Sequence, residues 1–376
     1  MTSTPDPPIP PHRALSAVVL AAGEGTRMRS ERPKPLHRLC GRPMVLHVLH
    51  TLAALPLDRA VVVVGHGGAR VTKAVAEQPP DDLRIDFVEQ RVQRGTGDAV
   101  SAAMTAFHED DTDDDGDIIV VPGDTPLLRA ATLVALIEEH RRSDAAATVL
   151  TARFPDPTGY GRVVRDRNGR VARIVEQADA GDDELLINEV NTSIYLLKRS
   201  VVAPALRRLS PDNAQGEYYL TDIVGVLHDA GYAVSSLEVD DAGDVAGVND
   251  RVQLSRVEAE LRRRINVGWL QRGVTMLDPA QTYLDTTVTL APDVTLYPGT
   301  LLQGTTSVAD GAEIGPNTQL ADCTVGERAV VSASVGRSAT IGVDARVGPW
   351  AYLPPGSTVP DGMVTGPGYT GAELPA

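Results

Sequence analysis

Few aromatic residues, only two cysteines, no cluster of basic side chains and no long apolar run mark this chain, and each shortage excludes something. Aromatics make up 4% of the 376 residues, yet the 42% hydrophobic content is enough for ordinary cores. Cys40 and Cys323 are far apart and lack C-x-x-C spacing, so they form neither a zinc site nor a disulfide framework and read as small buried groups. With a net charge of −15 and no basic patch, binding to nucleic acid or to an anionic membrane is disfavoured. No run approaches the apolar length of a membrane span. The proline-rich stretch from Met1 to His12 lacks the apolar core of a signal peptide, so a disordered tail and a soluble, cytoplasmic protein are expected. The histidines are scattered, no Ser/His/Asp set stands out, and His66 reads as a loop residue after a strand.

What the chain does have is Leu20-Ala21-Ala22-Gly23-Glu24-Gly25-Thr26-Arg27-Met28, followed by Lys34 in a proline-bracketed turn. The β-branched run Ala17-Val18-Val19-Leu20 predicts a strand buried on both faces, stopped by the glycines. Glycines let backbone N–H groups approach phosphate oxygens, and Arg27 and Lys34 bring the counter-charge of a triphosphate. The pattern is neither a P-loop nor the dinucleotide fingerprint, and on its own Gly23-Glu24-Gly25 reads equally as a plain turn.

A chain of this length exceeds the usual single core, so two domains are expected. Up to about residue 240, apolar runs at 60–64, 85–88, 118–121 and 146–150 alternate with helical patterns such as 44–55 and 132–140. That alternation predicts an α/β fold with a mainly parallel sheet covered on both faces. Leu254, Val257, Leu261, Ile265 and Trp269 fall at helical spacing and predict one long linking helix. Further on, Val308, Ile314 and Leu320 are six apart, as are Val335, Ile341, Val347, Leu353 and Val359. This is a hexapeptide repeat of about four coils, the mark of a left-handed parallel β-helix with each apolar residue pointing inward. The resulting division is a tail at 1–13, an α/β domain at 14–249, a linker helix at 250–275, a β-helix at 276–362 and a tail at 363–376. The acidic run from Glu109 to Asp117 lacks calcium-loop spacing and reads as a solvated loop.

The L-A-A-G-x-G-T-R-M motif followed by P-K-x-L resembles the sugar-1-phosphate nucleotidyltransferases. Further ordered motifs, over roughly residues 14 to 275, resemble those of the bifunctional N-acetylglucosamine-1-phosphate uridylyltransferase/glucosamine-1-phosphate acetyltransferase family. The resemblance implies a Rossmann-like nucleotidyltransferase domain, Mg2+ as cofactor, UTP and a sugar-1-phosphate as substrates, and a homotrimer through the β-helix. It implies that Leu20, Ala21, Gly23 and Gly25 hold the triphosphate and that Arg27 and Lys34 neutralise the transition state. In Gln90-Arg91-Val92-Gln93-Arg94-Gly95-Thr96-Gly97, it assigns Gln90, Gly95 and Thr96 to the uracil. Asp124, in Pro122-Gly123-Asp124-Thr125-Pro126-Leu127, and Asn249 become the metal ligands, and Gly161, Glu176, Asn191, Glu217, Tyr219 and Thr221 the sugar pocket.

Taken alone, several of these residues have plainer readings. Asp124 is turn chemistry, Thr96 and Asn249 are helix caps, and Glu176 and Asn191 are polar residues at strand ends. The match also departs from the family. Glu24 adds a carboxylate beside a polyphosphate and is expected to face outward, and Ser193 stands where the family pattern has glycine. Tyr352 and Pro354 stand where it has arginines, and the long β-helix of the relatives is here about four coils, so acetyl transfer is expected to be absent. The rival readings are another sugar-1-phosphate and nucleotide pair, or a non-catalytic sugar-nucleotide sensor.

Overall fold

A computed structural model describes residues 13–65, 67–107 and 116–371. The expectations for the N-terminal tail, for His66 and for most of the acidic run at 109–117 lie outside the described residues, as do the last five positions. The chain divides into two compact units, one of residues up to 37 with 44–253, the other of residues 38–43 with those from 254 onward.

The first unit is built on a nine-stranded sheet. Its strands are β1 (Leu15–Ala21), β2 (Arg59–Val64), β3 (Ile85–Glu89), β4 (Asp117–Pro122), β5 (Ala147–Arg153), β6 (Arg162–Arg165), β7 (Val171–Val175), β8 (Glu189–Lys198) and β9 (Val234–Glu238). The main order is β9-β5-β8-β4-β1-β2-β3, with the β6–β7 hairpin attached to β8. The four strands from β4 to β3 are parallel to one another, whereas β8 runs antiparallel to both β4 and β5.

Successive residues of the central strands feed opposite cores, the period-two signature of a sheet covered twice. Val19, Val62 and Val121 join one core with helices α1 (Met44–Ala53), α2 (Gly68–Glu77) and α4 (Ala130–Ser143). Val18, Val61 and Val120 join the other with α3 (Thr96–Met104), α5 (Arg199–Leu206) and α6 (Asp222–Asp229). Each such valine contributes about 1.5–3 kcal/mol through burial, so the sheet is a rigid platform for what hangs from its strand ends. The chain runs from β1 to β2 and β3 on one side and returns to β4 on the other. The carboxyl ends of β1 and β4 therefore flank a point where the strand order reverses, where α/β sheets open a crevice.

The second unit holds most of helix α7 (Arg251–Leu270) and a parallel β-helix of three five-stranded sheets. Each strand pairs with the third strand on, so the chain coils five times. That is one coil more than the two apolar series in the sequence suggest, because Leu284, Leu290, Leu296 and Leu302 extend the six-residue spacing toward the N-terminal side. One register expectation fails. At the fourth coil the inward position is Gly336, paired with Leu320 and Leu353, and Val335 turns outward. The spacing contracts to five at Val325, Gly336 and Ile341, and the space left at Gly336 is taken by Leu320 and Cys323, whose Cδ2 and Sγ would lie 2.9 and 3.3 Å from an added Cβ. Both cysteines are free and buried. Ile265 and Trp269 of α7 pack on the β-helix core, and Asn266 donates to the carbonyls of Pro279 and Thr282 at 2.8 and 2.9 Å. Among the described residues, no helix is long and apolar enough to cross a membrane.

Candidate active site

A cavity of about 580 Å3 opens at the carboxyl ends of β1 and β4, entirely within the first unit. Its floor is the loop from Leu20 to Arg27 on one side and Pro122 to Thr125 on the other. At the turn, Gly25 has φ +64°, and a Cβ there would stand 2.5 Å from the Cβ of Lys34, so only glycine lets the lysine stem pass. Glu24 is exposed at the rim, as expected.

At this floor Lys34 meets two oxygens. Its ammonium pairs with the carboxylate of Asp124 and donates to Asn249 Oδ1 at 2.8 Å, which also accepts from Arg27 at 3.1 Å. Asn249 is free for this because it does not cap helix α7. Asp250 does, its Oδ1 accepting from Gln253 N at 2.8 Å, while Gln253 reaches back to accept from Asn249 N at 2.6 Å. The capping reading of Asn249 is thereby corrected. One carboxylate and one amide oxygen, already converged on a positive group, match the one or two protein oxygens that magnesium takes beside phosphates and waters. Among the described residues no cluster of three or more His, Cys, Asp or Glu side chains could hold a metal by itself.

The far wall, after β3, is a loop stitched to the 217–220 segment. Gly97 N donates to Tyr218 O and Tyr218 N to Arg94 O, both at 2.7 Å, and Thr96 Oγ1 accepts from Leu220 N at 2.9 Å. Gly95, with φ +105°, is the N-cap position of α3, and a Cβ on it would lie 2.6 Å from Tyr218 O. Thr96 is thus the first residue of α3 and not its cap. Gln90 is nearly buried and donates to Gly95 O at 3.1 Å and to Asp98 Oδ2 at 2.9 Å, so its Oε1 remains as an acceptor.

Gly161, Glu176 and Asn191 line the cavity as well, as does Glu217, whose Cβ lies beside Gly95. Glu176 accepts from Thr221 Oγ1 at 3.0 Å, and burial raises its pKa, against the Thr221 hydrogen bond and with help from Asp222, Asp179 and Glu217. The remaining two residues singled out from the sequence, Tyr219 and Thr221, do not line the cavity. Thr221 stands behind Glu176 and holds it. Tyr219 is buried, its hydroxyl pushed up to about 12 by burial and by nearby Asp179.

Residues that sequence reasoning missed complete the lining. Gln93 donates through Nε2 to Ala22 O, tying the base-side loop to the phosphate loop, and the second amide in the Gln90–Thr96 motif was its only signal. Tyr160 stacks on Phe154 at 4.9 Å and also lines the cavity, with its pKa raised by burial and then by Asp124.

Residues 17–218 match the family model described as a MobA-like NTP transferase domain. The chain is 44% identical over 319 residues to the bifunctional protein GlmU of Shouchella clausii, covering 85% of this chain and 68% of that one. Toward GlmU of Mycolicibacterium vanbaalenii it is 48% identical over 325 residues, 86% of this chain and 65% of the relative. Toward that of Thermobifida fusca it is 45% identical over 325 residues, 86% and 66%. The chain thus spans about two thirds of the length of these curated relatives. With an NTP transferase domain over more than half its length and this degree of identity, the chain belongs to the GlmU family of nucleotidyltransferases.

Proposed function

We propose that the protein converts UTP and N-acetylglucosamine-1-phosphate to UDP-N-acetylglucosamine and pyrophosphate. The observation that carries this is the convergence of Asp124, Asn249, Arg27 and Lys34 on one point beside the Leu20–Gly25 loop. Two polyanions can meet only where counter-charge is at hand, and in a protein of charge −15 Arg27 and Lys34 bring it to this cavity.

The phosphate oxygen of the sugar attacks the α-phosphorus of UTP. The new P–O bond forms as the bond to the bridging oxygen breaks, and that electron pair leaves on pyrophosphate. The phosphate nucleophile is already ionised near neutral pH, so no protein base is needed. Leu20, Ala21, Gly23 and Gly25 give the triphosphate a close backbone approach, and Arg27 and Lys34 offset the charge that builds in the transition state. Gln90 Oε1, Gly95 and Thr96 suit the uracil edge, and Glu176, held by Thr221, accepts from sugar hydroxyls. Mg2+ on Asp124 and Asn249, when bound, supplies further charge neutralisation at the phosphates.

The proposal covers nucleotidyl transfer alone. Tyr352 and Pro354 offer no counter-charge for a second sugar phosphate on the β-helix. A homotrimer through the β-helix belongs to the same reading. Outward-facing Tyr283, Leu301, Gln319, Val335 and Tyr352 stack in register on one face, four of the five apolar or aromatic, whereas Thr289, Ser307, Thr324, Thr340 and Thr358 line another.

The test is pyrophosphate release by the purified chain, weighed first by light scattering for the expected three copies. UTP and dTTP are each paired with N-acetylglucosamine-, glucosamine- and glucose-1-phosphate, with and without magnesium. Magnesium-dependent release confined to UTP with N-acetylglucosamine-1-phosphate is expected. Another preferred pair moves the substrate, and silence throughout leaves a sugar-nucleotide sensor.

A further inference from the structure

The resemblance makes Asn191 a sugar contact, and its side chain is also bonded within its own strand, which leaves one amide hydrogen and one lone pair toward the cavity that it lines. Its Oδ1 accepts from Ser193 N at 3.0 Å, its Nδ2 donates to the Tyr195 hydroxyl at 2.7 Å, and it is 3% exposed. These bonds hold an irregularity in β8. Asn191 pairs with Thr151 and Tyr195 with Val149, so three residues, Thr192 to Ile194, oppose Leu150 alone. The Thr192 hydroxyl donates to the Leu150 carbonyl at 2.8 Å in place of a ladder bond.

At the crest of this bulge sits Ser193, with φ +61°. That is the left-handed region, costly for any residue with a Cβ. The other cavity-lining residues with positive φ are Gly25, Gly95 and Gly159, so Ser193 alone combines a side chain with this conformation. Its hydroxyl has no hydrogen-bond partner among the described residues. A strained residue held at the wall of a cavity by hydrogen-bonded neighbours points to use.

The strand order says which substrate it serves. The base-side loop follows β3 and the phosphate loop follows β1, while β8 lies beyond β4 on the other side. Asn191 N donates to Gly161 O at 2.9 Å, on the wall that holds Glu176. We propose that the Ser193 hydroxyl is a specificity-determining contact to a hydroxyl or amide of the hexose ring, and that Asn191 is a positioning residue that presents it. This rests on the nucleotidyl-transfer reading of the same cavity.

Ser193→Gly removes the hydroxyl and relieves the backbone, whereas Ser193→Ala removes only the hydroxyl. Steady-state kinetics with UTP and N-acetylglucosamine-1-phosphate, run beside thermal melts, separate the roles. In both variants KM for the sugar phosphate is expected to rise about three- to tenfold, the worth of one hydrogen bond, with KM for UTP within about twofold. Tm of Ser193→Gly stays at or above that of the wild type, which a residue kept for stability would not allow. An unchanged sugar KM in both variants, a shared rise in both KM values, or a lower Tm for Ser193→Gly overturns the inference while the wild type still turns over. Absence of wild-type turnover overturns the underlying reading, and this inference with it.

Discussion

Lys34 is one of only three lysines in a chain whose other basic residues are arginines. A compact ammonium brings its charge to a single point between the Asp124 and Asn249 oxygens, whereas a planar guanidinium spreads its donors over a wider fork. Lys34→Ala is therefore expected to lower kcat by at least about 100-fold while KM for UTP changes less than about threefold, the pattern of a group that acts in the transition state. Lys34→Arg should recover less than about a tenth of the lost activity. Unchanged kcat in the alanine variant would remove Lys34 from the mechanism. The lysine was legible in the sequence through its proline-bracketed turn, because a charge beside a glycine loop has a direct chemical reason. Asn249 was legible only through the family resemblance, since an asparagine followed by an aspartate leaves open which of them caps the helix. Only the bond from Gln253 N to Asp250 decides it. Tyr219 and Thr221 likewise sit in a block that faces the cavity at Glu217 but turns its later residues into the wall.

At the scale of elements, helix α7 holds a charge cluster whose pH dependence can be worked out. Hydrogen bonds from Arg263, and then Arg264, outweigh partial burial and lower the Glu260 pKa to about 2. The unfolded carboxyl titrates near 4.5, so the stabilisation is fully present above that value and is lost as pH falls toward 2. Glu260→Gln is expected to cost about 1 kcal/mol at pH 7, the upper range for a partly exposed pair network, with the gap from wild type closing between pH 4.5 and 2. Urea titrations at several pH values measure it, and a gap independent of pH would mean that the arginines do not act on the ionised form. Elements of this kind were readable where their physics is local. Continuous apolar runs announced β1, β2 and β4 because strands buried on both faces have no polar side. The direction of β8 was not readable, since an antiparallel strand inside a mainly parallel sheet depends on partners far away in the chain. Its bulge was hidden for the same reason: nothing local marks three residues that will oppose one. In the β-helix, the six-residue period revealed the coils but misassigned Val335, because a contraction to five moves the inward position without changing composition.

For the whole molecule, the apolar cores respect the division into two units. One set of clusters contains only residues up to 245, and the β-helix cluster only residues from 265 onward. Both tryptophans, Trp269 and Trp350, belong to the second unit, so intrinsic tryptophan fluorescence reports its unfolding, while pyrophosphate release reports the first. Leu302 is fully buried in the β-helix, where coils stack on their nearest neighbours and a gap in the middle weakens both adjoining contacts. Leu302→Ala is expected to cost about 2–5 kcal/mol, visible as an earlier fluorescence transition in urea. Turnover in the absence of denaturant should stay within about twofold of wild type, since the cavity is lined only by residues of the first unit. A matching loss of turnover would mean that the two cores fold as one cooperative block, and the nucleotidyltransferase unit would then depend on the β-helix for its stability.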